Sequence, residues 1–110
     1  MDELLLQMGL RIYQRRKELR LTQEALAEAS GLTSQTVSTA ELGKKALRPE
    51  NIIKLAETLD VSTDYILLGK VTTEDYGLLF EKIKTLSPIQ YHYLENIVKN
   101  FIAAIEAEQR

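Results

Sequence analysis

Apolar residues recur at helical spacing along the chain, and residues that favour turns separate the apolar segments. Leu5, Met8, Ile12 and Leu19 recur at near-helical intervals, which predicts a first helix from about Leu4 to Leu19. No stretch alternates apolar and polar residues with the period of a strand. The pattern therefore predicts an all-α chain, with later helices at about Gln23–Ala29, Ser34–Leu42, Pro49–Leu59, 63–68, Glu74–Leu86 and 88–108.

The ends of these segments carry residues that suit helix termini. Thr22 and Thr33 precede helices, and a threonine hydroxyl in that position accepts a hydrogen bond from an unpaired backbone amide. Gly31 follows the second helix, where glycine readily adopts the left-handed conformation that ends a helix. Pro49 suits the first position of the fourth helix, because its missing N–H costs nothing there.

The stretch from Thr22 to Lys45 has the layout of a helix-turn-helix, two short helices joined by a turn that contains Gly31. Ala27 allows the two helices to cross closely, while Val37 and Ala40 direct one face of the second helix into the core. The opposite face exposes short hydroxyl and amide side chains, namely Ser34, Gln35, Ser38 and Thr39. Such side chains reach base edges in the major groove, and glutamine suits adenine. The alternative interpretation is a helical hairpin inside an ordinary bundle.

Many further residues stand in register with this motif and with the Arg-rich first helix: Leu21-Thr22-Gln23, Leu26-Ala27, Val37 with Glu41, Gly43-Lys44, Arg48-Pro49, Leu55-Ala56, Leu59, Val61 to Tyr65, Leu67, Leu68 and Gly69. Through them, residues 8–69 resemble the lambda-type phage repressor and Cro family, also called the XRE family. The resemblance implies a five-helix DNA-binding domain of a transcriptional regulator, most simply a repressor. Three positions depart from the family pattern, namely Ser30, Leu42 and Asp60, and Asp60 would need a left-handed backbone, which aspartate tolerates.

The resemblance also implies roles for individual residues. Gln23 is implied to bind a phosphate at the start of the second helix, and Lys44 to lie beside the DNA backbone. Arg16 and Glu41 are implied to form a buried ion pair, although each alone would also suit a surface charge. The full set of expected DNA-binding residues is Gln23, Thr33, Ser34, Gln35, Ser38, Thr39, Lys44, Lys45 and Arg48.

Charge and composition narrow the kinds of function. The net charge of −2 disfavours DNA binding, but residues 1–70 contain ten acidic and ten basic residues, and the excess acid lies in residues 71–110. The chain has no cysteine and only one histidine, His92, so we expect no metal, no cofactor and no enzyme activity. No apolar run is long enough to span a membrane, and the acidic start does not resemble a signal peptide. We therefore expect a cytoplasmic protein.

Residues 71–110 are expected to form a helical hairpin separate from the DNA-binding domain of residues 1–70. The last helix is apolar over a wide arc, which either packs on the first domain or pairs with another chain. We favour a homodimer on a palindromic operator, because two-fold symmetry doubles the DNA contact. The residues expected to pair are Leu94, Ile97, Val98, Phe101, Ile102 and Ile105. The alternative function is an antitoxin or anti-regulator that binds a partner protein, and RNA polymerase or an antagonist protein is a further candidate partner.

Overall fold

The computed structural model describes residues 2–109, and every regular element in that range is a helix. The predicted all-α fold class is confirmed. The helices are α1 (Glu3–Glu18), α2 (Gln23–Ser30), α3 (Ser34–Glu41), α4 (Pro49–Leu59), α5 (Thr63–Leu68), α6 (Thr73–Ile83) and α7 (Pro88–Glu108). The chain divides into two compact units, and the division falls between Leu78 and Leu79, within α6.

The first unit is built on a core to which α1 to α5 all contribute. α1 packs against α3, α4 and α5, and α2 packs against α3 and α4. The largest fully enclosed side chains are Ile12, Leu26, Val37, Leu55, Leu59 and Ile66. Because removal of this apolar surface from water is the main stabilising contribution, the shared core holds α2 and α3 in one fixed arrangement on α1.

The helix ends follow the predicted capping residues. The hydroxyls of Thr22, Thr33 and Ser62 accept hydrogen bonds from backbone amides of the next turn at 3.0–3.1 Å. Gly31 ends α2 and Asp60 ends α4 in the left-handed conformation, with φ of 75° and 61°. The interpretation of Asp60 as a left-handed aspartate is therefore confirmed.

Two small residues of the core, Gly9 and Ser30, lie close to backbone carbonyl groups. A methyl group on Gly9 would lie 2.5 Å from the carbonyl oxygen of Glu41 and against that of Ala40, so glycine provides the clearance between α1 and α3. Ser30, which departs from the family pattern, is buried, and its hydroxyl donates to the carbonyl oxygen of Leu26 at 2.6 Å. The polar group is thus satisfied within its own helix.

The second unit contains the end of α6 and the whole of α7. α7 begins with a reciprocal capping box, in which the Ser87 hydroxyl accepts from the Gln90 amide at 3.2 Å and the Gln90 side chain accepts from the Ser87 amide at 2.9 Å. α6 ends at Ile83 rather than at the expected Leu86, because the backbone tightens into a turn there. No helix in the described range is long and apolar enough to cross a membrane.

Candidate nucleic-acid interface

α3 has one side in the core and one side at the surface. Val37 and Ala40 are buried, as the sequence pattern predicts. The outward side carries the residues expected to read bases, of which the first two are exposed and the last two half-buried: Ser34, Gln35, Ser38 and Thr39. The helix therefore presents small uncharged donors and acceptors on a rigid support. Their contact with bases stays a prediction.

The start of α3 is fixed by two threonines. Thr33 stands at the N-cap, where its Oγ1 accepts from the Thr36 amide at 3.1 Å and lies 2.8 Å from the Thr36 hydroxyl oxygen. Thr33 was expected to bind DNA, and the structure gives it a capping role that is independent of DNA. Thr33 is exposed, and the start of a helix is a position that favours an anion.

A buried ion pair ties α1 to the end of α3. Arg16 donates from Nε to Glu41 Oε2 at 2.6 Å and from Nη2 to Glu41 Oε1 at 3.0 Å, and its Nη1 donates to the Leu21 carbonyl oxygen at 2.8 Å. The two side chains are only 9% and 5% exposed. The hydrogen bond with Glu41 outweighs burial and raises the pKa of Arg16 above its ordinary value. The geometry is the one that the resemblance implied for Arg16 and Glu41.

Gln23 joins this network from the first position of α2. Its Nε2 donates to Glu41 Oε1 at 3.0 Å, so one amide hydrogen is engaged inside the protein. A carboxamide carries a second N–H on the same nitrogen. The expected phosphate contact of Gln23 would use that second hydrogen, and the contact with Glu41 would orient the amide for it.

The structure brings several of the expected residues to one groove beside α3. Thr33, Gln35 and Thr39 line its α3 side, and Lys45 and Arg48 line the opposite side, formed by the loop between α3 and α4. Lys44, Lys45 and Arg48 are all exposed. Sequence reasoning missed Asn51, which also lines this groove from the first turn of α4. Asn51 is a polar residue two positions after Pro49, at the start of the predicted fourth helix, and this was the sequence signal that could have identified it.

A second, more apolar cleft lies along the other flank of α3. It is lined by Gln23 and Ser38, which were expected to bind DNA, and by Leu42, Leu10 and Tyr13. Leu42 is 52% exposed. Its amide donates to the Ser38 carbonyl oxygen at 3.1 Å, so Leu42 lies one helical turn after Ser38. The outward face of α3 is thus followed by an exposed apolar side chain at Leu42, one of the three positions that depart from the family pattern.

The basic residues of α1 form less of a basic surface than their number indicated. Arg11 Nη1 donates to the Ile66 carbonyl oxygen and Arg15 Nε to the Leu59 carbonyl oxygen, both at 2.9 Å. These arginines satisfy carbonyl groups near the ends of α5 and α4, where a positive charge also suits the helix dipole. Both arginines are half-buried and, like buried Arg16, bind partners within the chain, whereas Lys17 of the same helix is exposed. No group of acidic or histidine side chains suited to a metal ion occurs within the described range.

Comparison with known proteins identifies the family. A protein-family model described as helix-turn-helix matches residues 12–66, which is half of the chain and extends from within α1 into α5. The chain belongs to this family. The resemblance to XRE-type regulators is therefore confirmed. All nine residues expected to bind DNA lie inside the helix-turn-helix match, whereas the six residues expected to pair lie beyond it.

Two curated relatives and one solved structure of the helix-turn-helix family are similar to the chain. Repressor protein C2 of Salmonella phage P22 is 35% identical over 65 residues, which is 59% of this chain and 30% of that protein. The chain therefore spans less than a third of that repressor's length. The transcriptional regulator DicA of Escherichia coli K12 is 35% identical over 104 residues, 94% of this chain and 73% of that protein. The crystal structure of the P22 c2 repressor in complex with a synthetic operator superposes with a TM-score of 0.56 at 36% identity, covering 57% of this chain and 96% of that one.

Proposed function

We propose that the protein is a transcriptional repressor that binds a specific double-stranded DNA sequence by placing α3 in the major groove. The observation that carries the proposal is the two-sided α3, whose inner side is fixed in the core while Ser34, Gln35, Ser38 and Thr39 face outward. The similar P22 c2 repressor was crystallised with operator DNA, which supports the same role here. Bound at a promoter, the protein would act by occluding RNA polymerase and would need no catalysis. Because its target is genomic DNA, we expect it in the cytoplasm.

Within this function, Gln35 is the strongest candidate for base reading. It is exposed in the first turn of α3, and the first residues of a recognition helix come closest to base edges. A glutamine pairs with adenine through two hydrogen bonds, and such a pair is worth about 1–3 kcal/mol of discrimination. Ser34, Ser38 and Thr39 read bases with less selectivity, because a hydroxyl both donates and accepts.

Phosphate contacts are proposed for two groups of residues. Lys44, Lys45 and Arg48 form an exposed basic loop after α3. Gln23 and the cap residue Thr33 stand at the starts of α2 and α3, where free backbone amides attract an anion. These contacts carry no sequence information, but they fix the register of α3 on the DNA.

We also propose that the protein binds DNA as a homodimer that pairs through α7. Of the six residues expected to pair, Leu94 is half-buried, and the other five are between 38% and 65% exposed in the single chain: Ile97, Val98, Phe101, Ile102 and Ile105. α7 contains no buried residue. A contiguous apolar face of this kind marks an interaction surface in a water-soluble domain. A two-fold dimer matches a palindromic operator and doubles the number of base contacts.

The base-reading role is tested by comparing specific with nonspecific binding. After selection of bound fragments from random DNA, the Gln35→Ala variant is expected to bind the selected operator at least about tenfold more weakly, with little change on random DNA. The matched control is Gln14→Ala, since Gln14 is also exposed but lies on α1. An equal loss on both kinds of DNA would contradict the base-reading role of Gln35.

The pairing role is tested by sedimentation and by operator binding. Phe101→Lys is expected to give a monomer with much weaker operator binding, because a charge at the centre of the apolar face opposes its burial. Asn100→Lys adds the same charge beside it and serves as the control. A Phe101→Lys protein that still sediments as a dimer would contradict pairing through α7, and a wild-type chain that stays monomeric would favour a partner protein on this face.

A further inference from the structure

One carboxylate in the first turn of α6 makes hydrogen bonds to the DNA-binding unit. Asp75 Oδ1 accepts from the Ser62 amide at 2.7 Å, and Asp75 Oδ2 accepts from the Ser62 hydroxyl at 2.8 Å, the Thr72 amide at 2.8 Å and the Thr72 hydroxyl at 3.1 Å. We refer to Asp75, Ser62 and Thr72 as the clasp. Four donors on one carboxylate make an unusually well-satisfied charge.

The clasp is built on a residue that belongs to the fold of the DNA-binding unit. Ser62 is buried and caps α5, where its Oγ accepts from the Tyr65 amide at 3.0 Å. Burial by itself raises the pKa of Asp75, but the hydrogen bonds from Thr72 and Ser62 together outweigh it, so the pKa lies below its ordinary value. The carboxylate is therefore held in its charged form, in which it accepts all four hydrogen bonds.

The clasp shortens the part of the connection that is free to move. Only residues 69–71 lie between the last residue of α5, Leu68, and Thr72 of the clasp. The sequence predicted that a separate hairpin begins at residue 71, but here Thr72 is fixed through both its amide and its hydroxyl. The start of α6 thus behaves as part of the DNA-binding unit, which extends to Leu78.

Beyond the clasp, α6 contains a glycine that the packing does not require. A methyl group on Gly77 would meet no atom within 4 Å, and the residue has ordinary helical backbone angles. Glycine inside a helix lowers the helical population about two- to fivefold relative to alanine. Gly77 therefore weakens α6 one residue before Leu78, which is the last residue of the first compact unit.

We propose that Asp75 is a positioning residue and Gly77 a hinge, and that the pair confines bending of the connection to one point in α6. This rests on the proposed function, in which α7 pairs two chains and each chain presents one α3 to a half-site. The clasp holds the near side of the hinge on the DNA-binding unit, and the hinge gives the limited freedom that remains. Together they would set which half-site spacings a dimer accepts.

The hinge is tested first without DNA, by measuring distances within one full-length chain. The chain has no cysteine, so spin labels on Gln14→Cys and Asn96→Cys, both exposed positions, would be unique. Labelled protein is diluted into unlabelled protein so that only distances within a chain are recorded. Gly77→Ala is expected to narrow the distance distribution and Asp75→Asn to broaden it. Thr72→Val, which removes one of the four hydrogen bonds, should broaden it less and guards against misfolding of the Asp75 variant.

The matched control for the clasp is Glu74→Gln, which removes the neighbouring charge of the same helical turn from an exposed side chain. Its distribution should equal that of the wild type. Equal distributions in Gly77→Ala, Asp75→Asn and wild type would overturn the hinge. This result does not depend on DNA binding or on pairing, so it is distinguishable from a failure of the proposed function.

The second arm measures operator spacing. Binding of each full-length variant is measured on three palindromic operators. One has the best half-site separation, and the others have a separation one base pair shorter and one base pair longer. Gly77→Ala should raise the preference for the best spacing over its neighbours about two- to fivefold, and Asp75→Asn should lower it, while binding to a single half-site stays unchanged. Altered distances with an unchanged spacing preference would overturn the role of the hinge in operator choice.

Discussion

Removal of Glu41 should cost the protein a large part of its stability, because the buried charge of Arg16 then has no counter-charge. The Glu41→Ala variant loses three hydrogen bonds, from Arg16 Nε, Arg16 Nη2 and Gln23 Nε2. Arg16 keeps the Leu21 carbonyl oxygen at 2.8 Å and the Tyr13 ring 5.3 Å from its guanidinium carbon, but no counter-charge. Arginine cannot escape by losing its proton at any accessible pH.

The magnitude follows from the burial of the pair. The Arg16 side chain is 9% exposed and that of Glu41 5%, so water replaces little of the lost interaction. Removing one partner of a buried pair costs about 3–5 kcal/mol, against a total stability of about 5–15 kcal/mol for a domain. A surface pair is worth about 0–1 kcal/mol. Glu18, which pairs with Arg15 at 3.0 Å and is 60% exposed, provides that comparison.

The assay is equilibrium unfolding in urea, with Glu41→Ala and Glu18→Ala measured at the same protein concentration as the wild type, since pairing would make stability depend on concentration. Arg16→Met combined with Glu41→Leu should recover part of the loss, because it leaves no charge buried. If Glu41→Ala lost no more stability than Glu18→Ala, the pair would not be buried as described. If the double variant were less stable than Glu41→Ala, the stability loss of Glu41→Ala could not be assigned to the unpaired charge of Arg16.

Four further outcomes follow from individual residues. Gly9→Ala should lower the free energy of unfolding by about 2–3 kcal/mol because its methyl group meets backbone carbonyls, whereas Gly77→Ala should raise it by up to about 1 kcal/mol, both read from urea midpoints. Because the pKa of Asp75 is lowered by folding, its contribution is present above about pH 4 and lost as the pH falls further. Wild type should therefore lose more stability than Asp75→Asn on acidification, and equal losses would contradict this. Lys45→Gln should reduce the slope of log affinity against log salt by about 2 for a dimer, and an unchanged slope would exclude a phosphate contact.

The helices and their starts could be predicted because capping residues and apolar spacing act over a few neighbouring residues. Thr22, Thr33 and Ser62 act within one turn of their own position, and the left-handed residues Gly31 and Asp60 follow directly after a helix. Core faces were predictable for the same reason, since helical spacing alone separates Val37 and Ala40 from the outward side of α3.

The roles of charged residues were harder to predict, because they depend on partners far along the chain. Arg11 and Arg15 satisfy carbonyl groups 55 and 44 residues away, and no local pattern distinguishes them from surface cations. Asp75 reaches Ser62 across 13 residues for a similar reason. The ion pair of Arg16 and Glu41 was predictable only through the family resemblance, since a separation of 25 residues does not by itself indicate a contact. The spacing of residues along the chain indicates which face of a helix is buried. Contacts between side chains of different helices can be identified only in the packed structure.

The chemistry of α3 supports the proposed pairing of two chains. Its outward side chains are short and uncharged, so one helix makes few specific contacts, each worth about 1–3 kcal/mol. Arg11, Arg15 and Arg16 bind partners within the chain, which makes them less available for nonspecific attraction than the exposed basic loop and the exposed residues Lys17 and Arg20. A single unit would thus bind a half-site weakly, and pairing adds the second set of contacts without a second association cost. If α7 pairs weakly, operator occupancy would rise with the square of the protein concentration, which gives a repressor a steep response to its own level.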